Sequence, residues 1–448
     1  MPNPNPASSF HVTVLSNFAR AYDKYSRCYD KTSIPESSFP DVSYVIALDE
    51  LDIGISKATR LLDKLGLPGN RLLVLETNVL YATLEVNART GKGRCFPSPQ
   101  LPVAKLWYLD KDQQLIPVIP EEAYAASMVL LHPQLYPYTD LAPRTVSVLP
   151  IARACQAACR FCFSESSASV EQHQESPNWD RLDSLCQAAR DKGATRFVIT
   201  GGGEPGLLPH SNMLRLIRQG HQHFKKVVLI TNGVDISRRH AQARTELLSG
   251  YHAEGLSVLA VSRHHSNSGV NRVIMGLDTK TEALLESWRN LPISPNPLQV
   301  RLICVLQQGG IEDEASLAEY LNWGTQQGVS EFCFKELYVS STLESAYHAN
   351  PENQWALQHQ VSLSLVTHFL TSMGFIESAR LPWGAPILTG PWNGQTIHVA
   401  AYTEPSLFWE RSTGIARSWN IMSDGQCLAS LEDPTSIVGD SLENLNGL

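Results

Sequence analysis

Val146-Ser-Val-Leu149-Pro-Ile-Ala-Arg-Ala-Cys155-Gln-Ala-Ala-Cys159-Arg-Phe-Cys162 joins an apolar strand-like run to a loop with three cysteines. The cysteines follow one another at C-x3-C-x2-C spacing. Thiolates this close in sequence can converge on one metal centre. A [4Fe–4S] cluster normally takes four thiolates, so three leave one iron without a protein ligand. An open position is what a catalytic metal site keeps and a structural one closes. Two plainer readings compete: small buried hydrophobes, or three ligands of a zinc ion. Arg153, Gln156 and Arg160 around the thiols argue against an apolar core run. No C-x2-C or H-x3-H partner lies nearby to complete a tetrahedral zinc site.

Beyond the loop the chain alternates. Strands are expected at Arg196–Thr200, Val227–Thr231, Leu256–Val261, Val300–Leu306 and Phe332–Val339. Helices are expected at Trp179–Lys192, Met213–Phe224, Ala243–Leu248, Lys280–Arg289 and Ala315–Gln327. Such alternation means βαβ units and a parallel sheet. The strands are near-continuous apolar runs, as strands covered on both faces are. Counting Val146–Leu149, six units make a partial (β/α)6 TIM-type barrel, an α/β fold. Sites in barrels of this kind lie at the carboxyl ends of the strands.

Three further motifs fall at those ends. Gly201-Gly202-Gly203-Glu204-Pro205 follows the second strand, and its glycines let backbone approach a ligand closely. Thr231-Asn232-Gly233 ends the third strand; it could present an amide to ribose hydroxyls or be a plain Asn-Gly turn. Ser262-Arg263-His264-His265 ends the fourth. A guanidinium forks onto carboxylates, and of two adjacent histidines at most one is expected to face the site.

Taken together, the cysteine loop with Phe161 before its third thiol and the glycine–glutamate run resemble the radical S-adenosylmethionine (radical SAM) superfamily. The resemblance covers about residues 145–340. It implies that Cys155, Cys159 and Cys162 hold one [4Fe–4S] cluster, and that S-adenosyl-L-methionine completes the fourth iron. It also implies reductive cleavage to a 5′-deoxyadenosyl radical. Gly201, Gly202, Gly203, Glu204, Asn232, Ser262, Arg263, Arg301 and Phe161 become the expected cofactor contacts. A flavodoxin or ferredoxin is the implied electron donor.

Arg301 interrupts the apolar fifth strand, where an unpaired charge is rare; it is expected to face the interior, with a barrel-end salt bridge as the alternative. Lys335, Glu336 and Tyr338 on the sixth strand are candidate substrate residues, with Glu336 and Tyr338 placed on one face. Cys427, in a turn near the chain end, is a candidate catalytic thiol. Cys304 and Cys333 are expected to pack in strand interiors. Trp383 and the Trp409-Glu410 pair are candidates for closing the cavity.

The flanks are less regular. Residues 1–144 read as an N-terminal α/β region of unknown role. Within it, residues 1–9 are expected to be disordered. Strands are expected at Ser43–Leu48, Arg71–Leu75 and Val79–Val86, and a helix at Ile55–Leu65. Residues 341–448 read as an α+β capping region with one helix over Trp355–Met373 and strands at Thr396–Ala401 and Ser418–Met422. Cys427 is the only cysteine there, so no further cluster is expected.

Composition narrows the class. The 448 residues are 43% hydrophobic and 18% charged, as in ordinary globular proteins. A net charge of −8 disfavours duplex nucleic acid. No apolar run of about eighteen residues suggests a membrane span, and no secretory signal is visible. Nine cysteines, sparse and clustered once, suit a reducing, cytoplasmic setting better than a disulfide framework. The expected substrate is a small polar metabolite or amino acid. The alternatives are a ribosomal peptide, epimerised or cross-linked, and a non-catalytic role in binding a metal or cluster. No D-x-H-x2-G motif points to cobalamin.

Overall fold

The computed structural model describes residues 136–163, 178–339, 345–347, 350–381, 385–405, 410–411 and 414–439, together with the backbone of seven earlier strands. The chain divides into two compact units: Met1–Leu135 with Ser340–Leu343, and Tyr136–Val339 with Glu344–Leu448.

In the first unit, β1 (Val12–Val14), β2 (Tyr44–Ala47), β3 (Leu73–Thr77), β4 (Thr83–Val86), β5 (Gly93–Phe96), β6 (Lys105–Leu109) and β7 (Leu115–Pro117) are described. They form an antiparallel sheet in the order β1-β2-β3-β6-β7 and a separate β4-β5 pair. Three of these strands, β2, β3 and β4, coincide with expected ones. The helix expected at Ile55–Leu65 and the segment 1–9 lie outside the described residues.

The second unit holds the βα alternation. Its strands are β8 (Ala142–Val148), β9 (Arg196–Ile199), β10 (Lys226–Thr231), β11 (Val258–Ser262), β12 (Gln299–Leu306) and β13 (Glu331–Glu336). Between them run α1 (Trp179–Asp191), α2 (His210–His223), α3 (Val234–Ser237), α4 (Ala241–Ala253), α5 (Ser268–Met275), α6 (Thr281–Arg289) and α7 (Glu314–Gln326). All six strands are parallel neighbours in chain order.

Strand periodicity sorts the residues. Phe197, Leu229, Leu259, Leu302, Phe332 and Phe334 point outward into the core shared with the helices. Val228, Val258, Ala260, Ile303, Cys333 and Ala400 face inward and form a second cluster. Burial on both faces explains why these strands carry no polar alternation. Local caps fix the helix starts. Asn178 accepts the Arg181 N–H at 3.1 Å. Asp313 and Ser316 form a capping box on α7, a device worth about 1 kcal/mol.

The C-terminal residues complete the sheet at both edges. After α8 (Pro351–His359) and α9 (Ser364–Ser372) come β14 (Ile376–Arg380), β15 (Pro386–Trp392), β16 (Gln395–Tyr402), β17 (Ile415–Ile421) and β18 (Cys427–Leu428). Strand β16 pairs parallel with β13, and β17 pairs parallel with β8. The result is one eleven-stranded sheet with eight adjacent parallel strands, beyond the six expected.

Two expectations are corrected. Residues 355–373 form two helices, because Gln360 is extended (φ −62°, ψ 136°) and bridges Gln307 at the end of β12. The sixth strand stops at Glu336 rather than Val339, which changes where Tyr338 points. Among the described residues no helix is long and apolar enough to cross a membrane.

Candidate active site at the carboxyl ends of the strands

The cysteine loop leaves β8 and is anchored on both sides. Toward β9, the Gly203 N–H donates to the Ile151 carbonyl at 2.9 Å and the Glu204 N–H to the Ala154 carbonyl at 2.8 Å. Toward α5, the Ala158 N–H donates to the Met275 carbonyl at 2.8 Å. A Cβ on Gly203 would overlap the Ala154 carbonyl, so the glycine is needed for close approach. Cys155 and Cys162 are exposed and Cys159 is half-buried. Burial, with Cys162 and Cys155 nearby, pushes the Cys159 thiol up to about 12. Bare thiolates would repel one another here; a bound cation reverses that preference. Among the described residues, no three His, Cys, Asp or Glu side chains group to hold a single metal ion.

Glu204 is 4% exposed and accepts three hydrogen bonds. The donors are the Gly206 N–H at 2.8 Å, the Asn232 N–H at 2.8 Å and the Thr231 hydroxyl. Burial raises its affinity for a proton, and these donors oppose that. The carboxylate therefore clasps the ends of β9 and β10, and of the glycines before it Gly201 lines the cavity beside Cys162. Asn232 has two tasks. Its Oδ1 caps the Val234 N–H at 2.9 Å, with Gly233 in the left-handed region at φ +74°. Its Nδ2 faces the cysteine loop, 3.2 Å from Gln156 Oε1 and 3.8 Å from Cys155 Sγ.

At β11 the alternation separates the expected contacts. Ser262 pairs with Ile303 on the inner face. Arg263 turns outward and is 1% exposed. It donates to the His265 and Ser266 carbonyls, each at 2.7 Å, and to Glu282 at 3.0 Å, and it lies 4.7 Å over Trp323. Its guanidinium is committed to the helix layer, so the expected carboxylate contact is corrected. His264 turns inward, edge-on to Phe161 at 5.1 Å. Its Nδ1 accepts the Val305 N–H at 3.1 Å, which assigns the ring proton to Nε2. Complete burial pushes its pKa down to about 3, so the ring is neutral.

Arg301 lies near the start of β12, where Nε and Nη2 reach Glu331 Oε2 at 3.0 and 2.5 Å. It makes the barrel-end salt bridge and is not brought to the cysteine loop. Glu336 points outward and accepts the Leu363 N–H at 3.3 Å; burial pushes its carboxyl up to about 8. Beyond the strand end Tyr338 turns the other way, so the two do not share a face. Cys427 is fully buried in the outer core that also contains Cys186 and is not in the wall of the cavity beside Cys162, which corrects its candidacy. Cys304 and Cys333 are buried packing residues.

A cavity of about 290 Å³ joins Cys162 and Gly201 to Lys335 and Tyr338. Its wall also includes Tyr347, Glu404, Glu410, Arg417 and Glu432. Of these the sequence reading singled out Glu410 alone. Arg417, the one charged residue of β17, was the available signal for the rest. Trp383 and Trp409 lie outside the described residues.

The profile of the radical SAM superfamily matches residues 149–292. Over those residues the chain carries a radical SAM domain, the catalytic domain of that superfamily. No curated protein sequence matches it significantly. Solved structures give remote likenesses. Streptococcus suis SuiB bound to S-adenosylmethionine is 14% identical with TM-score 0.40, over 69% of this chain and 62% of that one. A radical SAM methyltransferase from Sphaerobacter thermophilus is 16% identical with TM-score 0.40, over 78% and 82%. Coproporphyrinogen III oxidase (HemN) from Escherichia coli is 16% identical with TM-score 0.34, over 53% and 55%. The chain thus spans 62% of the length of the Streptococcus suis protein.

Proposed function

We propose that Cys155, Cys159 and Cys162 hold one [4Fe–4S] cluster and that the protein cleaves S-adenosyl-L-methionine to abstract hydrogen from a small polar metabolite or amino acid. The observation that carries this reading is the doubly anchored three-thiol loop at the carboxyl ends of parallel strands, opening on a cavity. The donor set fits the group: three thiols can serve one iron each and leave the fourth open. When bound, cluster and S-adenosylmethionine together supply one-electron cleavage and a carbon radical.

The chain's own residues then do the positioning. Asn232 braces the loop through Gln156. Phe161 and His264 wall the inner side. The Gly201–Gly202 backbone and Ser262 present polar groups to the methionine end. Lys335 and Tyr338 face the substrate cavity. Within this reading, residues 145–340 are the catalytic barrel, residues 341–448 cap it, and a flavodoxin or ferredoxin delivers the electron.

The test is anaerobic reconstitution with iron and sulfide, then S-adenosylmethionine, dithionite and an assay for 5′-deoxyadenosine. The wild-type protein should form it, and a Cys155/Cys159/Cys162 triple alanine variant should not. Loops that take up zinc and assemble no cluster would sink the proposal.

A further inference from the structure

We propose that the barrel lumen holds a small, doubly charged oxyanion at its amino end, between Arg196 and Arg301, in a site of its own away from the cysteine loop. Strand register, charge and space each point to it.

Register gathers the charges. Arg196 opens β9, Lys226 opens β10, and the two are direct neighbours across the strands. Arg301 on β12 is likewise opposite Glu331 on β13. Strands repeat with a period of two. Arg196 therefore shares the face of Val198, Lys226 that of Val228, Arg301 that of Ile303 and Glu331 that of Cys333, and all four of those partners pack in the inward cluster. The four charged side chains thus stand on the inner face, near the amino ends of their strands. Gly201, which lines the cavity beside Cys162, lies further along the chain from Arg196. At about 3.3 Å per residue the separation is about 16 Å, so this is not the cysteine-loop site.

The charges do not balance. Arg301 is met by Glu331 at 3.0 and 2.5 Å. Among the described residues, no hydrogen bond or ion pair holds the Arg196 guanidinium or the Lys226 ammonium. Like charges on neighbouring strands repel, and buried charges are normally paired. Burial and the nearby Arg301 weaken the hold of Arg196 on its proton. Burial, Arg301 and Arg196 act in the same way on Lys226, against Glu331. Guanidiniums stay charged in proteins, so Arg196 and Arg301 alone exceed Glu331 by one charge. Lys226 adds a second when protonated, and a bound anion favours that form. Two further cations of the lumen, Lys335 and Arg417, already bear on Glu404.

Space fits the same guest. Arg196 and Arg301 both line a cavity of about 140 Å³, and among the described residues no carboxylate lines it. At about 30 Å³ per water this is room for about four waters. It admits a phosphate- or sulfate-sized ion and excludes a nucleotide. Guanidinium N–H groups fork onto the oxygens of such an ion.

The experiment titrates inorganic phosphate into the reconstituted full-length chain by isothermal calorimetry, with ionic strength held constant by potassium chloride. Phosphate should bind at one site, and sulfate should displace it where chloride does not. Arg196→Gln, checked for folding by circular dichroism, should weaken phosphate about ten-fold or more, as the loss of a charge-assisted hydrogen bond requires. Lys225→Gln, which removes an exposed cation next to Lys226, should leave the affinity unchanged. If Arg196→Gln does not fold, Lys226→Gln is read in its place. No phosphate binding to the wild type, displacement by chloride, or undiminished binding in the folded variant would overturn the proposal. So would an equal loss in Lys225→Gln, which marks diffuse surface attraction. Methyl phosphate forms a second arm beside phosphate: its binding assigns the site to the head group of a larger molecule, and its exclusion assigns it to the free ion, each in support. S-adenosylmethionine cleavage is tested separately and does not enter these outcomes.

Discussion

Glu204 accepts the backbone N–H of Asn232 at 2.8 Å, tying the end of β9 to the end of β10. Because the Glu204 N–H also donates to the Ala154 carbonyl, one residue couples the glycine run, the Asn232 turn and the first cysteine. The carboxylate holds the turn after β10, while the backbone N–H of the same residue holds the chain just before Cys155.

Replacing Glu204 with Ala leaves the Thr231 hydroxyl and two backbone N–H groups without their acceptor. Unpaired buried donors cost about 1–3 kcal/mol each, so a stability loss of at least about 3 kcal/mol is expected in urea unfolding. Iron uptake should fall with it. An unchanged midpoint would show that the clasp is not formed.

Gly203→Ala places a methyl group against the Ala154 backbone, which cannot rotate away as a side chain could. Overpacking of this kind costs about 1–3 kcal/mol. Iron per chain after reconstitution should drop sharply, while the far-ultraviolet dichroism stays close to wild type. Full iron loading in this variant would contradict the close approach.

Glu336 sets a pH dependence. Its folded pKa of about 8 lies above the ordinary 4.5, so between these values the folded state binds the extra proton. The wild type's stability contribution from this group is complete below pH 4.5 and is lost as pH rises toward 8. Glu336→Gln removes the ionisation. The variant should gain on the wild type with rising pH, by up to about 1.4 kcal/mol per unit across the window. Parallel stability profiles would show that Glu336 ionises as an exposed carboxylate does.

Cys427→Ala tests the correction made to its role. Loss of one buried sulfur should cost on the order of 1 kcal/mol, seen as a lower unfolding midpoint. The rate of 5′-deoxyadenosine formation should stay at the wild-type value. A collapse of that rate in a folded variant would return Cys427 to the chemistry.

Much of the second unit was legible in the chain. The five expected helices and six expected strands between residues 146 and 339 appear within a few residues of their expected bounds, because apolar periodicity and caps such as Asn178 and Asp313 act over one or two turns. Positions on strands were legible only where the strand persists. The inward Ser262 and outward Arg263 follow from a period of two; Glu336 and Tyr338 break it because β13 ends between them.

What the sequence by itself determined is local: the C-x3-C-x2-C loop, the glycine run, the alternation of strand and helix, and with them the superfamily. Tertiary structure alone decided the rest. Nothing within Gln395–Tyr402 or Ile415–Ile421 announces that one strand joins β13 and the other β8, because a strand's partner is chosen by long-range pairing and burial. That choice carries Glu404 and Arg417 to Lys335, more than sixty residues away in the chain, and brings Glu432 to Tyr338. The cavity wall is built from charges that local pattern leaves unrelated, since only the pairing of these distant strands removes them from water together.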